Sequence, residues 1–139
     1  MEQQATSLLK QYGLRVTTIR HKVVELFLAS GSTALSNADI EQHFERLDRT
    51  TLYRTLRTLE QKGIIHQVVD NSGTTKYATS REHRSKQEMY ANHVHFHCVK
   101  CEKTICLEKT PLPPVNPPSG FNVDEKHLLL TGTCSICAE

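Results

Sequence analysis

The chain has 139 residues, a formal net charge of +2, 37% hydrophobic residues and no tryptophan. That length suits one ordinary domain or two very small ones, and two small halves bury cores thin enough to need a metal staple. No apolar run approaches the roughly 18 residues of a membrane span, and the opening MEQQATSLLKQYG carries no apolar signal region, so a cytoplasmic location is expected.

Residues 2–12 read as a helix with Leu8, Leu9 and Tyr12 on one side, ended by Gly13. Thr17 or Thr18 can cap a second helix, in which Ile19, Val23, Leu26 and Phe27 recur at helical spacing until Gly31. Ser36 and Asp39 resemble a capping box for a short third helix with Ile40 and Phe44 inward. Arg49, Thr50 and Thr51 open a fourth, whose buried stripe is Leu52, Leu56 and Leu59 and whose end is Gly63. Ile64–Val69 and Thr74–Thr79, separated by Asn71-Ser72-Gly73, form a β-hairpin pattern.

Helices followed by a hairpin make a winged helix-turn-helix. Opposite its leucine stripe, the fourth helix presents Thr51, Tyr53, Arg54, Arg57 and Thr58. Such a face suits a major groove, with Arg forking onto guanine or phosphate; an ordinary solvated face fits the same periodicity. Arg15, Arg20, Lys22, Arg46, Arg49, Arg54 and Arg57 make the first 60 residues basic, which suits a phosphate-facing surface or scattered surface charge.

Residues 80–92 (SREHRSKQEMYAN) are polar and lack apolar periodicity. They read as a hinge, which divides the chain into 1–79, 80–92 and 93–139. The last part contains a proline-rich stretch from Pro111 to Pro118 that cannot be a regular helix, and Phe121–Thr131 is strand-like again.

Cys98 and Cys101 form one C-x2-C and Cys134 and Cys137 another. Two such knuckles offer four thiolates to one tetrahedral ion, and zinc suits soft ligands without redox chemistry. A disulfide is disfavoured in a reducing compartment, and neither knuckle sits at the strand-to-helix start of a redox motif. Cys106 is left over and is expected to be a small buried strand residue rather than a ligand.

Eight histidines include His93, His95 and His97, which share one face of a strand. His93 and His95 are close enough to hold one divalent ion, and Glu82, His83 and Glu88 are nearby hinge donors. A site built partly from a hinge can couple metal binding to the placement of the halves.

The stretches GLRVT at 13–17 with Arg20, TTLYRTLRTLEQKGII at 50–65, HVHFHCVKC at 93–101, GF at 120–121 and GTCSIC at 132–137 resemble the ferric uptake regulator family in order and spacing. The resemblance implies an α+β chain: an N-terminal winged helix-turn-helix followed by a small zinc-stapled α/β dimerisation domain. It implies a non-enzymatic, metal-responsive repressor that binds double-stranded operator DNA as a homodimer. Tyr53 and Arg54 fall on the family's recognition-helix pair, and Arg15 on a basic residue that reaches toward the minor groove; Thr51 and Arg57 complete the expected DNA-binding set. The four cysteines match a structural zinc site. His93 and His95 match two ligands of a second, regulatory site for a divalent metal, Fe(II) or Zn(II).

Several positions depart from the family's pattern. Thr33-Ala34-Leu35 offers no donor where the family often supplies a histidine, and Ala78 falls near its usual glutamate. His83 and Glu88 are therefore expected to complete the regulatory site. His97 replaces the usual apolar residue before the knuckle, and Asn92, Val94 and Lys126 argue against a third metal site. The sensed signal, whether iron, zinc, manganese or peroxide, is not legible. Rival readings are a zinc-ribbon winged-helix adaptor that binds protein, which would lack salt-dependent affinity for duplex DNA, and a small metalloenzyme, against which stands the absence of an H-E-x-x-H motif.

Overall fold

A computed structural model describes residues 2–68, 70–79, 92–107, 109–124 and 126–139, without the side chains of Asn92 and His93. Helices α1 (Glu2–Gln11) and α2 (Thr18–Ser30) are followed by the short strand β1 (Leu35–Ser36) and by α3 (Asn37–Glu41) and α4 (Arg49–Lys62). Strands β2 (Ile65–Val68) and β3 (Lys76–Thr79) form the hairpin; β4 (Asn92–Cys98), β5 (Thr104–Cys106) and β6 (Lys126–Gly132) form a second sheet.

Each helix of the first half starts or stops where a side chain or a glycine satisfies its open backbone groups. Thr17 accepts the Arg20 amide at the start of α2. Ser36 and Asp39 close a reciprocal capping box on α3, with bonds of 2.9 and 3.1 Å. Asp48 caps α4, and Gly63 ends it in the left-handed conformation at φ 84°, which a side chain would resist. The apolar faces then meet: Leu8, Leu9, Val23, Val24, Phe27, Ile40, Leu52, Leu56, Leu59 and Ile65 form one buried core. Each of the leucines contributes about 2 kcal/mol by leaving water.

The hairpin and β1 make an antiparallel sheet in the order β1-β3-β2, with His66 opposite Ala78 and Leu35 opposite Tyr77. Two-residue β1 escapes sequence reading because alternation needs more residues to show. In the second sheet, ordered β5-β4-β6, β4 runs antiparallel to β5 and parallel to β6. Parallel neighbours need a long crossover, and the segment that makes it includes Pro111–Pro118, which forms neither helix nor strand. Phe121–Asp124 precedes β6 as irregular chain rather than strand.

The two sheets are stitched together at β5. The Ala34 amide donates to the Thr104 carbonyl and the Cys106 amide to the Ser32 carbonyl, both at 2.8 Å, around a bridge between Thr33 and Ile105. Among the described residues, no helix is long and apolar enough to cross a membrane.

Candidate metal centres and nucleic-acid interface

Helix α4 separates its residues as the spacing predicts. Leu52, Thr55, Leu56 and Leu59 are buried; Tyr53, Arg54 and Arg57 are exposed, and Thr51 is half-buried. Tyr53 is 53% exposed, high for an aromatic ring, and its hydroxyl accepts a 3.2 Å bond from Arg57. That bond aligns the phenol and the guanidinium on the outer face, one turn apart. The Thr51 hydroxyl donates to Asp48 at 3.3 Å and so also supports the cap. Arg15 is exposed in the loop before α2, where its carbonyl accepts a 3.0 Å bond from Arg20.

The knuckles meet as expected. The sulfurs of Cys98, Cys101, Cys134 and Cys137 all lie within 4.8 Å of one another, and all four are free thiols. Cys98 is fully buried at the end of β4, while Cys134 follows β6, so the β4–β6 pairing brings the knuckles together. The Cys101 and Cys134 amides point at Cys98 Sγ from 3.5 and 3.4 Å and draw its thiol down to about 5. Cys137, hydrogen-bonded to Cys134 and close to the other sulfurs, is pushed up to about 12. Such a cluster shares protons among its sulfurs, and a dication displaces them. Donor number, softness and closeness fit zinc.

On the histidine strand, His95 and His97 have different surroundings. His95 is 1% exposed and faces His66 of β2, with ring centroids 6.3 Å apart and planes inclined by 26°. Cys106 of β5, opposite His95 in register, places its sulfur 3.9 Å from His66 Nε2. One ligand atom from each of His66, His95 and Cys106 lies within 4.8 Å of the others, and all three residues are buried. The expected partners His83 and Glu88, and the side chain of His93, lie outside the described residues; the backbone of His93 sits in β4, paired with His127.

His97 belongs to a separate polar network. Its Nδ1 lies 2.9 Å from the Thr104 hydroxyl, which in turn donates to Asp70 Oδ2 at 2.7 Å. The single hydroxyl proton goes to the carboxylate, so His97 Nδ1 is the donor, which fixes its tautomer. Lys76 adds an ion pair of 3.1 Å to Asp70, whose side chain is wholly buried. Burial alone raises the carboxyl's pKa, but bonds from Ser72, Thr104 and Lys76 outweigh it and hold Asp70 well below the usual carboxylate range.

The ferric uptake regulator family model matches residues 11–116, most of the chain. The chain belongs to the ferric uptake regulator family. Members of this family are transcription regulators, not enzymes. The chain is 26% identical to the peroxide operon regulator of Bacillus subtilis, over 98% of this chain and 92% of that protein. It is 27% identical to the ferric uptake regulation protein of Neisseria meningitidis, over 93% and 90%. A zinc uptake regulator solved with zinc and DNA superposes with a TM-score of 0.64 at 20% identity, covering 98% of this chain and 91% of that one. The superposition shows the shared fold of a winged helix joined to a small sheet domain.

Within this ferric uptake regulator chain, His66 has no counterpart among the residues the sequence points to, and Cys106 is the cysteine expected to be a buried strand residue rather than a ligand; it is indeed buried in β5, but beside two imidazoles. His66 and Cys106 lie 40 residues apart, and no spacing rule links them. The one available signal was His66 itself, a polar residue inside the apolar run Ile64–Val69.

Proposed function

We propose that the chain is a cytoplasmic, metal-responsive repressor that binds operator DNA as a homodimer when its sensor site is loaded. In this reading residues 1–79 read DNA, 80–92 link the halves, and 93–139 dimerise and hold metal. Arg15, Thr51, Tyr53, Arg54 and Arg57 contact DNA; Cys98, Cys101, Cys134 and Cys137 hold structural zinc; His95, with His93 on the same strand face, belongs to the regulatory site.

The supporting observation is the stitch at β5. The half bearing the recognition helix and the half bearing the histidine strand are tied by backbone bonds at Ser32–Ala34, and metal donors stand beside that seam. A bound ion supplies a cross-link between donors that are far apart in the chain. The chain's own residues do the rest. The β5 stitch orients the winged helix, the Asp70–Thr104 bond holds the wing, and α4 presents its basic face at one fixed angle. Two copies must present those faces about one DNA turn, roughly 34 Å, apart to enter successive major grooves. With an ion held there, the competent arrangement would be favoured and operator affinity would rise.

Strand β6 supplies the dimer surface. It is a sheet edge whose Leu128 and Leu129 are half-buried and whose Leu130 is 39% exposed, whereas the opposite edge, β5, is covered by Thr33. An open edge carrying apolar side chains invites a second strand. The related zinc uptake regulator solved with zinc and DNA is consistent with the same pairing of metal and duplex.

The deciding experiment is fluorescence anisotropy of labelled duplex DNA with and without divalent metal, at several salt concentrations. Metal-strengthened, salt-sensitive binding is the expected result. Binding indifferent to both would refute the reading and favour a protein-binding adaptor.

A further inference from the structure

We infer that His66, His95 and Cys106 form a zinc-binding site that pins the winged helix to the second sheet. The inference rests on the regulator reading above and specifies its sensor. Of the ligands expected from sequence, His95 is one of the three, while His83, Glu88 and the side chain of His93 lie outside the described residues.

The first argument is geometric. Zinc–nitrogen and zinc–sulfur bonds of about 2.0 and 2.3 Å place neighbouring tetrahedral donors about 3.3–3.6 Å apart. The Cys106 sulfur and His66 Nε2 are already 3.9 Å apart, and all three donors fall within 4.8 Å. Closure asks for movements within ordinary side-chain freedom.

The second argument is placement. Three buried donors, two imidazoles and a thiol, converge here from three strands of two sheets. β5 and β4 bring Cys106 and His95 into direct register, and β2 brings His66 from the other half. Beside them, Ala34, Val68 and Ala78 form a small buried cluster, with Val68 on the His66 face of β2. Small side chains there let the sheets approach closely enough for the donors to meet.

The third argument is chemical. Two imidazoles and a thiolate are a softer set than imidazoles with carboxylates. Thiolate favours zinc, whereas carboxylate-rich sets accept Mn(II) and Fe(II). The ion sensed is therefore zinc. Three protein ligands leave one position of the tetrahedron for a further donor.

The test uses the full-length protein with its knuckle zinc in place, titrated with one further equivalent of Co(II) as a spectroscopic probe and then with Zn(II). The expected result is a new thiolate-to-cobalt charge-transfer band, displaced by zinc. Cys106→Ser should abolish the band, and His66→Gln should weaken zinc binding by more than about 100-fold, the upper end of what losing an outer-shell partner costs. Retained knuckle zinc and unchanged circular dichroism show that each variant folds. Cys106→Asp should still bind a second ion, without the band and with preference moved from zinc toward manganese. A second ion held equally well by the Cys106→Ser and His66→Gln variants would overturn the inference while leaving metal-dependent DNA binding intact. Conversely, a band lost in Cys106→Ser together with metal-indifferent DNA binding would uphold the site and refute the regulator reading.

Discussion

Asp70 in the wing turn accepts a 2.7 Å hydrogen bond from Thr104 on β5, so the hairpin of one half is held by the sheet of the other. The same carboxylate meets Lys76 at 3.1 Å and organises its own turn through the Ser72 amide at 2.9 Å. Removing its charge strands a largely buried ammonium. Asp70→Asn should therefore cost about 3 kcal/mol of stability near neutral pH. A carboxyl whose pKa is depressed by folding stabilises fully above its unfolded value of about 4 and loses that contribution as the pH falls below it. Urea midpoints of the native chain and of Asp70→Asn should differ at pH 7 and draw together progressively as the pH falls from about 4 toward the depressed native value. A gap that persists into acid would show that the carboxylate charge is not what the network uses.

The knuckle cysteines join the ends of β4 and β6, so losing one should release both. Cys134→Ser should bind no knuckle zinc and lose the β4–β6 pairing while α1–α4 remain folded. Elemental analysis and amide-resolved NMR check the two halves of this statement together. Zinc retained at full stoichiometry would remove Cys134 from the ligand set.

On α4, Arg54→Ala should weaken operator binding by about 1–3 kcal/mol, roughly 10-fold to 100-fold, without changing metal content. Tyr53→Phe tests a subtler point. Losing the hydroxyl that Arg57 contacts should loosen the guanidinium and reduce affinity less than Arg54→Ala does. Anisotropy titrations on one duplex at one salt concentration rank the variants, and an unaffected Arg54→Ala would exclude that side chain from the interface.

An aspartate at position 130 places a charge on the exposed edge of β6. Leu130→Asp should yield monomers with intact knuckle zinc, read by light scattering after size exclusion. Persistent dimers would move the interface away from this edge.

The contrast between what was and was not legible in the chain has a physical basis. Helix limits could be read because their signals are local: Thr17, the Ser36–Asp39 box and Gly63 act within a turn of the backbone they terminate. The zinc knuckles could be read because each pair supplies two of the four ligands from positions three residues apart. Arg54 and Tyr53 emerge from a leucine stripe on their own helix. Nothing comparable announces Asp70, which reads as a turn residue, or Thr104, which reads as a polar strand residue. Their meeting depends on how β5 docks. His97 gains its explanation in the same way, as the donor to Thr104.

The stitch at β5 also provides an internal gauge. The Ala34 and Cys106 amides bond across the halves rather than within either. Their protons can exchange with solvent only when the halves part or the chain unfolds, whereas the core amides of α2 and α4 exchange only on unfolding. The ratio of these two exchange rates reports undocking by itself, and its dependence on added metal measures how strongly an ion holds the seam shut.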